Sequence, residues 1–264
     1  MGSKSGTSKG EIFIITTGLK CVGRKTYKIN ENIIINIPLV KHIRGDNAND
    51  ECDFWNEVNL FTLTPDDMMS ELDSIGIDFE YISSYKLFIY LLTESQVRNK
   101  VSPYHKEWLF SNFNIYDLKL KQVTDTDIVL VDDNGTEIIN EGVYNELSDI
   151  IAEITGIKKT PKKKFGNAFA KKMRIKYDYI NKEKKRQQDN KSQYDILSGI
   201  ILRLVCNANF PYNFETIQDI TICDLIYSLK QIDKDIQVTD LMQSRLVGND
   251  LSKIPMENLS RFVS

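Results

Sequence analysis

The chain has 264 residues, 41% of them hydrophobic and 27% charged, with a formal net charge of −3. That is long enough for one large core or two modest ones and excludes a largely disordered chain. No apolar run approaches the ~18 to 20 residues that cross a bilayer, and the polar start MGSKSGTSKG has no hydrophobic signal core, so a cytosolic protein with no membrane role is expected.

Residues 1–10 read as a flexible tail. From Glu11, the runs EIFIITTGLKC, KTYKI and NIIINI are β-rich and separated by polar turns. Pro38 then suits the first position of a short helix, PLVKHI. The acidic loop GDNANDECD, residues 45–53, has Asp50 and Glu57 at calcium-loop positions counted from Asp46, but Ala48 and Glu51 break that pattern, so no metal is expected. Phe54 to Phe61 have helical apolar spacing. Thr64, Pro65 and Asp67 resemble an N-cap, a first-turn proline and a capping-box acid, predicting a helix that closes at Gly76. Asp66 and Asp67 are read as capping groups rather than a catalytic pair, because adjacent helical residues point about 100° apart.

SSYKLFIYLLTES is apolar nearly all round and predicts a buried helix at the centre of the N-terminal core. PYHKEWLFSNF is a further amphipathic piece. DLKLKQV, DIVLVD and TEIIN alternate like strands, with Asn134-Gly135 as the hairpin turn. Asn140 and Gly156 bracket a predicted helix whose apolar stripe is Val143, Leu147, Ile150, Ile151 and Ile154.

Charge changes abruptly next. Residues 157–191 hold 14 Lys or Arg against Asp178, Glu183 and Asp189, a net of +11, leaving −14 for the rest of the chain. Thr160-Pro161 resembles a helix start, and Phe165, Phe169, Met173, Tyr177 and Ile180 recur at helical spacing, which predicts a basic helix roughly 45 Å long. Lys162, Lys163 and Lys164 sit awkwardly at the positive end of its dipole. Beyond it, Ser192 precedes a helix with Leu197, Ile201 and Leu204 on one face. Thr221 opens another through Ile222, Leu225, Ile226 and Leu229, running on past Ile236 and Leu241.

The expected fold is therefore α+β: a small β-rich and helical N-terminal lobe (11–157), a basic helical linker (158–191) and an all-helical C-terminal lobe (192–264). Cys21, Cys52, Cys206 and Cys223 are too scattered for zinc, and Cys206 and Cys223 are expected as buried free thiols. His105 stands alone without a nucleophile partner. GxGxxG, GxxxxGK[ST], HExxH and GxSxG are all missing, so neither catalytic residues, a cofactor nor an enzymatic role is expected. The candidate binding residues are Lys162, Lys163, Lys164, Phe165, Phe169, Lys171, Lys172, Arg174, Lys184, Lys185 and Arg186. Three uses of them stay open: docking within the molecule, an acidic protein partner, or nucleic acid.

The order of parts, with PLVKHI at 38–43, TPDDMMSELDSIGIDFEYISSYKLFIYLL at 64–92, the DNGTEIIN hairpin and YDILSGIILRLVCNANFPYNFETIQDITICDLIYSL at 194–229, resembles virion-morphogenesis proteins of tailed bacteriophages of low-GC Gram-positive hosts. The resemblance implies a tail-assembly or virion structural protein, chaperone-like, binding other phage structural or tail proteins. It implies a place in the host cytoplasm during assembly and leaves open whether the protein stays in the virion. Homo-oligomerisation is left open by it, and no functional residue is carried over.

Overall fold

The computed structural model describes residues 20–45, 50–99, 108–124, 127–188 and 196–246. The fold is α+β, and the described residues contain eight helices and two small antiparallel sheets. Strand β1 (Thr26–Lys28) pairs with β2 (Ile34–Asn36), in the second and third of the predicted β-runs. Most of the first run lies outside the described residues. The other sheet is a meander of β3 (Lys119–Gln122), β4 (Ile128–Val131) and β5 (Glu137–Ile139). Its β4–β5 turn is fixed by Asp132, whose Oδ1 accepts the amides of Asn134 and Thr136 at 2.9 and 2.8 Å, with Gly135 at φ 80°. Those amide bonds, with Thr136 first, hold the Asp132 carboxyl below its usual range.

The helices are α1 (Val40–Arg44), α2 (Asp50–Thr62), α3 (Met69–Ser74), α4 (Ser84–Asn99), α5 (Glu141–Thr155), α6 (Ala168–Gln188), α7 (Ile196–Val205) and α8 (Ile222–Leu246). α5 is placed as its sequence predicts. Asn140 Oδ1 accepts the Val143 amide at 2.9 Å, and Gly156 ends the helix in the left-handed conformation. A Cβ at Gly156 would also overlap Ile226, so two constraints ask for glycine there. The face of α5 bearing Tyr144, Leu147, Ile151 and Ile154 is sealed against α2 and α8. Ser148 Oγ and Tyr144 OH both donate to the Phe61 carbonyl, at 2.5 and 3.3 Å. Phe88 and Phe61 stack on Tyr144, and Tyr85 packs against it at a tilt. Burial pushes the Tyr144 and Tyr85 hydroxyls up to about 12.

Several expectations need correction. α3 starts at Met69 rather than at Pro65; the Thr64–Asp67 box forms, with both the amide and the hydroxyl of Thr64 donating to Asp67 Oδ2, but it closes a turn ahead of the helix. Pro38 does not open α1: its carbonyl accepts the Ile222 amide, and Leu39 is the cap. The C-terminal helices do not build a separate core. Leu197, Ile201, Leu204, Ile222, Leu225 and Ile226 join the same buried cluster as Ile35, Phe61, Leu92 and Ile151. Periodicity identifies which face of a helix is buried, but not which core it enters. Cys206 lies just past α7 and is exposed, whereas Cys21 and Cys223 are buried, with thiols raised to about 12 chiefly by burial. His105 lies outside the described residues.

Backbone and carboxylate contacts tie distant segments into that shared core. Val40 N donates to Ile220 O and Ile222 N to Pro38 O. Buried Glu57 accepts the amides of Trp108 and Leu109 at 2.9 and 3.1 Å, and Glu51 accepts the Leu197 amide at the start of α7. These acids spend their charge on orphan backbone donors, where an unmade bond would cost about 1–3 kcal/mol. α8 opens on a reciprocal cap, with Thr221 Oγ1 donating to Asp224 Oδ2 at 2.8 Å and accepting the Asp224 amide at 3.1 Å.

Candidate functional site

The basic stretch is built in two parts, not as one long rod. Residues 158–165 form no helix or strand, and α6 begins only at Ala168, capped by Asn167, whose Oδ1 accepts the Ala170 amide at 2.8 Å. The predicted cap, Thr160, is used elsewhere: its hydroxyl donates to Asp67 Oδ1 at 2.6 Å. Asp66 Oδ1 accepts the Lys163 amide at 3.1 Å, and Lys162 Nζ reaches the Glu80 carbonyl at 3.0 Å. The acids read as a capping pair thus also clamp the incoming basic segment. With the helix starting later, Lys162, Lys163 and Lys164 no longer oppose its dipole.

α6 then lies on a small second core made by Met69, Leu72, Phe79 and Leu87 under α3. Phe165 meets the Phe79 ring edge-on at 5.8 Å, and Ile175 packs on the same cluster. The rest of the attachment is polar. Lys171 Nζ contacts Asp78 at 2.6 Å and Glu80 at 2.5 Å, and stands 5.0 Å from the Phe79 ring centre. Asp178 accepts the Ser70 hydroxyl at 2.7 Å and the Ser70 amide at 3.3 Å. That makes it a cap for the first turn of α3 supplied from another helix, where α3's own Met68 offers none. Lys182 completes the lock, 2.8 Å from Asp178 and 2.6 Å from Glu71.

Protonation follows from these contacts. Burial would raise the Asp178 carboxyl, but the Lys182 ammonium and the Ser70 donors outweigh it and hold the group below its usual range. Asp78 is lowered mainly by its hydrogen bond from Lys171. Burial pulls Lys171 down, and the bonds to Asp78 and Glu80 more than offset it, leaving the ammonium raised.

The docked residues Lys171, Ile175, Asp178 and Lys182 recur at helical spacing along one face. Of the stripe read from sequence, Phe165 docks inward, while Phe169, Met173, Tyr177 and Ile180 lie about half a turn from the docked face, Phe169 and Tyr177 exposed and Met173 and Ile180 half-buried. Phe169 is 75% exposed, Tyr177 55% and Tyr179 60%. Lys172, Arg174, Lys176 and Lys184 are exposed around these rings without a described ion-pair partner, as is Lys164 before the helix. Lys185 and Arg186 belong to α6, with side chains outside the described set.

The eleven candidates therefore separate by function. Lys162, Lys163, Phe165 and Lys171 are engaged within the molecule, whereas Lys164, Phe169, Lys172, Arg174 and Lys184 point to solvent. Sequence reading missed Asp178, Ser70 and Lys182 as the lock. The Asp178–Lys182 spacing of four was its only local trace.

What the arrangement offers chemically is recognition. Three exposed rings and a set of unpaired cations sit on a helix whose other side is fastened. Among the described residues no group of three His, Cys, Asp or Glu could hold a metal ion, and no helix is long and apolar enough to cross a membrane. Comparisons of the chain with protein-family models, with curated proteins and with solved structures return no match.

Proposed function

We propose that the chain is a non-enzymatic binding protein, a phage tail-assembly or virion structural factor, that holds another structural protein through the outward face of α6. The supporting observation is the inversion of that helix. An amphipathic helix ordinarily buries its apolar side, yet this one is fastened by its polar side and presents Phe169 and Tyr177 outward among Lys172, Lys176 and Lys184. An apolar stripe with a cationic rim suits an amphipathic acidic partner: the rings give buried area, and the lysines give selectivity and encounter rate. The phage setting rests on the resemblance carried by residues 38–43, 64–92 and 194–229; it implies work in the host cytoplasm and carriage into the particle if the complex persists.

Copurification from infected cells, with the bound proteins identified, tests this. The wild-type chain should bring down a tail, baseplate or head component, and the Phe169→Ala/Tyr177→Ala variant should lose it about tenfold or more with its melting temperature unchanged. Recovery of no particle component by the wild type, or equal recovery by the variant, overturns the reading.

Interleaving of the same rings with Lys172, Arg174 and Lys176 favours a second reading, single-stranded nucleic acid, in which the rings stack on bases. That use requires affinity to fall steeply with salt. Binding to an oligonucleotide that is flat between 50 and 200 mM salt rules it out.

A further inference from the structure

A second surface on this molecule has the opposite character. Where the turn after α7 meets the middle of α8 there is an open groove of about 270 Å³, lined by Asn207, Asn209, Ile232, Asp235, Ile236 and Asp240. Ile232 and Ile236 supply its apolar part, and Ile236 is left 45% exposed. Its rim is anionic: the Asp235 carboxylate accepts from Gln231 at 3.2 Å, and among the described residues no cation is paired with Asp235 or Asp240. Arg203, the basic residue of the last turn of α7, is bonded to Asp233 instead, at 2.5 Å.

We propose that this groove receives the outward face of α6 from a second copy of the chain. The proposal rests on α6 being a binding face and gives that face a further occupant, a second copy of the chain. Three observations support it. The signs match, since Lys172, Lys176 and Lys184 rim one surface and Asp235 and Asp240 the other. The apolar parts match, since Phe169 and Tyr177 lack cover and so do the exposed parts of Ile232 and Ile236. The lengths match as well. From Ile232 to Asp240 the α8 axis advances about 12 Å, as does α6 from Phe169 to Tyr177, at ~1.5 Å per residue. Within one molecule the two surfaces belong to different packing units: α6 lies on α3, while α8 lies on α5 and α7, and no α6 residue lines the groove. Because the patches differ, the contact either closes reciprocally as a two-fold pair or runs head to tail as a ring or an extending chain.

Sedimentation of the full chain from about 1 to 100 µM, with nuclease added in a parallel run, reads this directly. Wild-type protein should rise above the 30.5 kDa monomer, indifferent to nuclease. Lys172→Glu/Lys176→Glu and Asp235→Lys/Asp240→Lys should each weaken assembly about tenfold or more, as reversing a charge pair demands. Mixing the two variants should restore a dimer, because each still carries the intact surface that the other lacks. A wild-type chain that stays monomeric, an assembly that nuclease dissolves, or one that only the α6 variant weakens overturns the proposal. If the wild type is monomeric while the α6 ring variant still loses its copurifying particle protein, self-association fails and the function proposed for α6 stands.

Discussion

α5 and α6 follow one another in the chain and are held in opposite ways. α5 is fastened by Leu147, Ile151, Ile154 and the ring of Tyr144, all sealed from water, and its polar side faces out. α6 is fastened by Lys171, Asp178 and Lys182, with two apolar anchors, and its rings face out. Burial of apolar area is insensitive to pH and is strengthened by many salts, whereas half-exposed ion pairs contribute roughly 0–1 kcal/mol each and fade as charge is screened or titrated. The contrast makes α5 part of the body and α6 an attached strap that conditions can loosen.

The largest effect expected is on the α5 side. Leu147→Ala removes a fully buried side chain between α2 and α8 and should cost about 2–5 kcal/mol, seen as a lower midpoint for the whole protein in urea. A shift confined to one part of the molecule would mean that α5 is not integral to the core.

A smaller and local effect is expected on the α6 side. Asp178→Ala orphans the Ser70 amide and leaves Lys182 with its contacts to Glu71 and the Asp67 carbonyl, which should cost about 1–3 kcal/mol of docking. Trypsin should cut within 168–188 several-fold faster while the urea midpoint of the body holds. Equal protease resistance would show that Phe165 and Ile175 suffice.

The mildest perturbation is acid. The folded Asp178 and Asp78 carboxyls lie below their ordinary value of 3.8, so the unfolded or undocked forms bind more protons as pH falls. Their stabilisation is complete above that value and drains away as pH drops through the folded ones. Pepsin cleavage near Phe169, Tyr177 and Tyr179 should therefore rise below about pH 4, with a weaker pH dependence in Asp178→Asn. Cleavage that is constant from pH 4 to pH 2 would remove these carboxylates from the account.

The same contrast explains what was legible in the sequence. α5 could be read from its own residues because Asn140, Gly156 and an apolar stripe are local signals that the structure uses locally. The Asp132–Gly135 turn and the Thr221 cap were readable for the same reason. α6 was misread at its start, and its docked face was not legible. Thr160-Pro161 has the composition of a cap, but Asp67, distant in sequence, takes the hydroxyl. Choosing the docked face by hydrophobicity selects Phe169 and Tyr177, because the attachment of Asp178 to Ser70 exists only once α3 and α6 meet. The separation into two lobes failed on similar grounds: composition changes at residue 157, but Leu197 and Ile226 fill the same interior as Ile35 and Ile151.

The pairing of Pro38–Val40 with Ile220–Ile222 also has a bearing on synthesis. Its halves lie on either side of the strap, so a ribosome has to make α6 before the two edges that enclose the interior can meet. At ~5–20 residues per second, Ile43 and Phe61 wait many seconds for Ile222 to emerge. Nascent chains released before that point should stay sticky and be captured by holding chaperones, and release after it should mark the onset of protease-resistant product.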